Sequence, residues 1–111
     1  MIADNVEQGE VLLLRFLYSN MVDYKIRPAL VISNNGFNKM HDAWFCPITS
    51  KKVPQSIPIA SSLAEGKLER ESFANTSHIA TVERDLILKR IGKLSKEKTR
   101  EIIAGIMQNM E

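Results

Sequence analysis

A chain of 111 residues has room for one domain with a real core and too little for two. Its 44% hydrophobic and 25% charged content is that of an ordinary globular chain. A net charge of +2 with a pI near 8.8 is too weak by itself to argue for nucleic acid, and a single cysteine excludes an internal disulfide. The longest apolar runs, Val11 to Leu14 and Ala29 to Ile32, fall far short of a bilayer span, so no membrane association is expected. The acidic opening MIADNVEQGE has no basic n-region of a secretory signal, and a cytoplasmic protein in a reducing compartment is expected.

Residues 1–8 read as a flexible arm ahead of a single domain over residues 9–111. Gly9-Glu10 opens EVLLLRFLY, whose nearly unbroken apolar run implies a strand buried on both faces or lining a barrel; Arg15 is its one interruption. The polar stretch SNMVDYK, residues 19–25, reads as a loop. IRPALVIS follows, with Leu30, Val31 and Ile32 as a buried strand that Pro28 opens, where a missing N–H costs little. Asn34-Asn35-Gly36 is a turn signal, because Asn and Gly accept positive φ, and FNKMHDA crosses to the strand WFCPITS. Pro47 inside that run argues for an edge or a bulge, and Cys46 reads as a small buried hydrophobe.

Lys51 to Pro54 form a second loop, and SIPIA, residues 56–60, is a short strand weakened by Pro58. Ser61 to Lys67 predict one helical turn, capped by Ser61 or Ser62 and stopped by Gly66. ESFANTSHIATV, residues 71–82, reads as a strand that leaves the sheet near Asn75, followed by a helical turn over ERDLI and a strand over Leu88 to Leu94. Ser95 caps a helix from Lys96 to Met110, with Thr99, Ile102, Ile103, Ile106, Met107 and Met110 on one stripe. Five or six short strands and a terminal helix predict a mainly β fold, a small and partly open barrel covered by that helix.

Most familiar chemistries are missing. His41 and His78 stand far apart with no second ligand at metal-binding spacing, so no metal and no cofactor are expected. There is no glycine-rich phosphate loop and no nucleophile elbow. Asn75-Thr76-Ser77 matches a glycosylation acceptor, which has no meaning without secretion. What remains are polar residues at strand ends: Arg27, Thr49, Ser50, Asn75, Thr76, Ser77, His78 and Thr81. If the RPALVIS and WFCPITS strands are neighbours, Arg27 and Thr49 project at one sheet edge, and a guanidinium fork beside a hydroxyl can grip a phosphate. A surface arginine and a strand-end threonine is the blander alternative. Basic residues also cluster, at Lys51-Lys52 and again at Lys89, Arg90, Lys93, Lys96, Lys98 and Arg100. RNA cleavage without metal needs little more than such groups: the 2′-OH attacks the adjacent phosphate, while the protein positions the chain, stabilises charge and moves protons.

Taken in order, GEVLLLRF, RPALVIS with NNGFN, PITS and IATVERDLILKRIGKLSKEKTREI resemble the MazF/PemK/Kid family of growth-inhibiting toxins, from Gly9 to Met110. The resemblance implies an SH3-like small β-barrel of the plasmid-maintenance-toxin type with a C-terminal helix, assembled as a homodimer. It implies a toxin of a type II toxin–antitoxin system: a metal-independent, sequence-specific endoribonuclease that cuts single-stranded mRNA and leaves 2′,3′-cyclic phosphate and 5′-OH ends. A cognate antitoxin would cover the RNA groove with an acidic, disordered tail. The family's catalytic arginine and threonine fall on Arg27 and Thr49. Ser50, Lys51, Lys52, Asn75 and His78 are the accompanying RNA-binding candidates. Later positions depart from the pattern: Ala80 stands where MazF-type members carry arginine in Q-x-R-T, and Asn75 and Ser77 stand near an arginine and an aspartate of Kid-type members. No histidine lies between Ser19 and Lys25. Two other readings stay open at this point, a non-catalytic SH3-like binding module and a gyrase-directed toxin of the same barrel.

Overall fold

The computed structural model describes residues 6–17, 23–59, 63–68 and 70–111, with only the backbone of Leu17. Among the described residues eight strands and two α-helices follow one another as β1 (Glu10–Leu17), β2 (Tyr24–Val31), α1 (Asn35–Met40), β3 (Trp44–Thr49), β4 (Ser56–Pro58), β5 (Leu63–Gly66), β6 (Phe73–Asn75), β7 (Ala80–Thr81), β8 (Ile87–Leu94) and α2 (Lys96–Gln108). A 3-10 turn at Arg84–Leu86 stands where the helical turn is expected. All pairings are antiparallel, in the order β4-β6-β3-β2-β1-β8-β5, with β7 also on β3. This is the mainly β fold with a C-terminal helix that the sequence predicts. Among the described residues β4 and β5 remain edges, so the SH3-like barrel is open.

The central strands are buried on both faces because each face has its own core. On one side Val11, Leu30, Cys46, Ile48 and Ala74 pack beneath Ile102 and Ile106 of α2. On the other, Leu12, Leu14, Ala29, Val31 and Phe45 pack with Val6 and Val82. Alternating residues of one apolar run thus feed opposite cores, and each buried Leu or Ile contributes on the order of 1.5–3 kcal/mol. Pro47 lies on an interior strand and not on an edge: β3 pairs with β7 at Trp44 and Phe45 and with β6 at Ile48 and Thr49, and Pro47 falls at the change of partner. Pro28 does not open its strand but sits within β2, just before pairing to β3 begins at Ala29.

Further local readings are corrected. The Asn34-Asn35-Gly36 turn is the start of α1, where the Asn34 Oδ1 accepts from the Phe37 N–H at 2.8 Å; the side chain that favours a turn is equally a helix cap. Residues 63–66 form a strand where a helical turn is expected, and Gly66 (φ +83°) is needed there for a close backbone approach. Residues 60–62 and 69 lie outside the described residues, as do 18–22 of the expected loop. In α2 the Ser95 cap is present, its Oγ accepting from Lys98 N–H at 3.2 Å, and Thr99, Ile102 and Ile106 are buried. Met107 and Met110 are 55% and 72% exposed: Met107 lies one residue round the helix from Ile106, and Met110 follows the end of the helix.

Of the arm expected over residues 1–8, residues 1–5 lie outside the described residues. Val6 is buried, the Gln8 side chain donates to the Ile32 carbonyl at 2.7 Å, and its backbone N–H donates to Asn35 Oδ1 at 2.7 Å. Behind it, Arg90 ties three strands, donating from Nε to Glu10 Oε2 and from Nη2 to Glu65 Oε2, each at 2.6 Å.

Candidate functional site

β2 and β3 set the site. Their register pairs Ala29 with Pro47 and Leu30 with Cys46, and Arg27 and Thr49 each lie two residues beyond the Ala29–Pro47 pair. Both residues line one open groove of about 750 Å³. Its floor is apolar, from Leu13, Ile26, Pro28, Ile48, Leu68 and Ile91, and its walls carry Lys25, Arg27, Lys51, Lys67, Arg70 and Lys89. Among the described lining residues there are thus six cations and no carboxylate. Clustered like charges over a low-dielectric floor raise the positive potential and draw in a polyanion.

The polar groups are held by local structure. Thr49 Oγ1 accepts from the Lys51 N–H at 3.2 Å, a turn that fixes the hydroxyl where β3 ends. Ser72 Oγ donates to the Arg70 carbonyl at 2.9 Å and shapes the segment that carries Arg70. The Arg27 side chain is exposed and makes no hydrogen bond or ion pair among the described residues, which leaves its planar fork of donors open. Beside it, the Arg15 guanidinium lies over the Tyr24 ring, 4.8 Å from the centroid, on the adjoining ends of β1 and β2.

The structure gathers Arg27, Thr49, Ser50 and Lys51 in the groove, whereas Lys52, Asn75 and His78 do not line it. Asn75, Ser77 and His78 form a separate exposed cluster after β6. Ser77 Oγ donates to Asn75 Oδ1 at 2.6 Å and lies 3.0 Å from His78 Nδ1, which is 3.3 Å from Asn75 Nδ2. Of the groove cations, Lys25, Lys67 and Arg70 are not among the sequence candidates, and Lys89 is marked there only as one of a basic cluster. These four come from three separate stretches of chain, and no local spacing marks them as one set. Cys46 is fully buried, and burial pushes its thiol up to about 12, as befits a packing residue. Among the described residues no three His, Cys, Asp or Glu side chains group as a metal site, and no helix is long and apolar enough to cross a membrane.

The sequence matches the family model for the PemK-like, MazF-like toxin of type II toxin-antitoxin systems over residues 7–110. The chain belongs to this family. The toxin's fold recurs in solved structures at low identity. A MazE-MazF crystal structure from Deinococcus radiodurans superposes with a TM-score of 0.78 at 17% identity, covering 96% of each chain. An endoribonuclease from a mycobacterial species gives 0.72 at 18% identity, over 96% of the toxin and 91% of that chain. Mycobacterium tuberculosis toxin MazF-mt6 gives 0.66 at 17% identity, over 88% and 93%. No curated protein sequence matches the toxin.

Proposed function

We propose that this toxin is a metal-independent endoribonuclease that cleaves single-stranded mRNA at a short sequence. The observation that carries this reading is the groove itself, lined by Arg27 and Thr49, with six cations and no carboxylate among the described lining residues. Such a surface favours a phosphate backbone, and its open apolar floor accepts unstacked bases. Structures of the same fold include a mycobacterial endoribonuclease in complex with its cognate antitoxin, which supports both the activity and the partner.

In the proposed reaction the 2′-oxygen attacks the adjacent phosphorus, its proton is removed, and the 5′-oxygen leaves and is protonated. The products are a 2′,3′-cyclic phosphate and a 5′-OH. Arg27 donates to the non-bridging oxygens as their charge grows, and the Thr49 hydroxyl holds the phosphate or orients the 2′-OH. Ser50 and Lys51 contact the RNA alongside. Lys52, Asn75 and His78 lie outside the groove and would contact RNA only as it leaves. A cognate antitoxin with an acidic tail competes for the same cations, and two copies of the chain form the working homodimer in the cytoplasm.

The test is to incubate purified protein with a long single-stranded RNA in EDTA, beside Arg27→Ala, and to map ends by primer extension. Discrete cuts by the wild type alone, bearing cyclic phosphates, support the reading and give the recognition sequence. A folded dimer that makes no cuts overturns it in favour of the non-catalytic binding module.

A further inference from the structure

β8 carries three cations, Lys89, Arg90 and Lys93, and the fold treats them differently. Arg90 is engaged by Glu10 and Glu65, each at 2.6 Å, and Lys93 by Glu7 at 3.4 Å. Lys89 makes no ion pair among the described residues, and of the three it alone lines the groove. Alternation sends Lys89 and Arg90 to opposite faces of β8, and the register shift at Ile91 returns Lys93 to the Arg90 side, since Arg90 pairs with Leu12 and Lys93 with Glu10.

Register then places Lys89 relative to Pro28, the chain neighbour of Arg27. Lys89 is opposite Leu13 on β1, and Leu13 is opposite Pro28 on β2. These three residues form a row across neighbouring strands and all line the groove. Lys89 stands two strand steps from β2, about 10 Å at the Cα positions, with the side chain of Leu13 as floor between them. The β1–β8 ladder shifts register on both sides of the Leu12–Arg90 and Leu13–Lys89 pairs, a bulged stretch that fixes the direction of its side chains. Lys51, Lys67 and Arg70 sit outside the strands, whereas Lys89 lies within β8 and Lys25 near the start of β2, and a contact carried by a strand is held more exactingly.

We propose that Lys89 positions the substrate by gripping a phosphate that flanks the scissile one, across the apolar floor from Arg27. This rests on the endoribonuclease reading. An ammonium on a fixed strand suits a point contact with a neighbouring phosphate, while the guanidinium fork is left for the reacting one. Held at two phosphates, the nucleotide between them spans Leu13 and Pro28 with its 2′-OH constrained toward in-line attack.

The test compares wild type, Lys89→Gln and Lys89→Arg on a short RNA that carries the mapped cleavage sequence. A second set of RNAs has each phosphate flanking the scissile one replaced in turn by an uncharged methylphosphonate. Unchanged thermal unfolding shows that the variants fold. The expected result is a fall of about tenfold in kcat/KM for Lys89→Gln on native RNA, its recovery in Lys89→Arg, and no further loss from Lys89→Gln on one of the neutralised RNAs. Equal kcat/KM for wild type and Lys89→Gln overturns the proposal while the cleavage reading stands. So does an equal loss on every RNA, or intact cleavage with weakened binding of an acidic antitoxin peptide, which would assign Lys89 to the protein partner. Failure of the wild type to cut any RNA removes the reading beneath it.

Discussion

Arg27 on β2 and Thr49 on β3 line one groove, whose other charged lining residues are all lysine or arginine. If these two residues supply electrostatic stabilisation, Arg27→Ala lowers kcat by about 10²–10³-fold. The exposed Arg27 side chain supports no core packing, so the melting temperature stays within about 2 °C of wild type. Single-turnover cleavage beside a thermal melt checks both halves. A variant that cuts at the wild-type rate removes Arg27 from the reaction.

The groove lysines report on bound phosphates through salt. Neutralising Lys51 and Lys67 together reduces the slope of log affinity against log salt by about 1.4, close to 0.7 for each phosphate of a single strand that is no longer neutralised. Fluorescence anisotropy with a labelled RNA at several salt concentrations measures it. Lys52→Gln, which alters a residue outside the groove, leaves the slope near wild type.

Gly66 and Gly92 are paired across β5 and β8 with no room for a side chain on either. A Cβ on Gly92 would lie 2.2 Å from the Glu65 carbonyl oxygen, and one on Gly66 would lie 2.2 Å from that of Ile91. Gly92→Ala therefore destabilises the fold by roughly 1–3 kcal/mol or more, since the obstacle is backbone and does not yield by a rotamer change. Urea denaturation gives the value. Gly36→Ala, whose Cβ would meet Asn34 Oδ1 no closer than 3.5 Å, provides a mild comparison.

Cys46 gives the chain a pH dependence of defined sign. Burial raises its thiol from 9.0 to about 12, so between these values the unfolded chain releases the proton and the folded chain retains it. Stability is therefore complete below pH 9 and falls as pH rises toward 12. Cys46→Ala loses this component, and comparing wild-type and variant unfolding free energies at about pH 8 and about pH 10.5 reveals it. Equal slopes for the two proteins would show that the thiol reaches solvent. In the native protein at about pH 8 a thiol reagent should react with Cys46 only at the rate of unfolding.

The meeting of the Arg27 and Thr49 strand ends at one groove, the two-faced burial of β1 and β2, and the helix capped by Ser95 were legible because each rests on short-range pattern: an apolar run, a Pro-flanked strand, a Ser cap before a helical stripe. The family follows from the order of those same segments. Other features depended on partners distant in the chain. Asn34 could begin a turn or a helix, and the packing of Phe37 beside Trp44, their ring centroids 5.2 Å apart, accompanies the helix. Residues 63–66 became a strand because β8 offered an unpaired edge at Gly92, a choice invisible to propensity. Charge behaved in the same way. Lys89, Arg90 and Lys93 are equivalent in the sequence, and only the carboxylates brought in by β1, β5 and the segment before β1 separate the neutralised from the available. The sequence by itself determined which residues could be buried and which chemistry was on offer, since hydrophobic period and side-chain type are local properties. Which cations share a groove, and that His78 does not join them, was decided by strand register, because register sums interactions over the whole sheet.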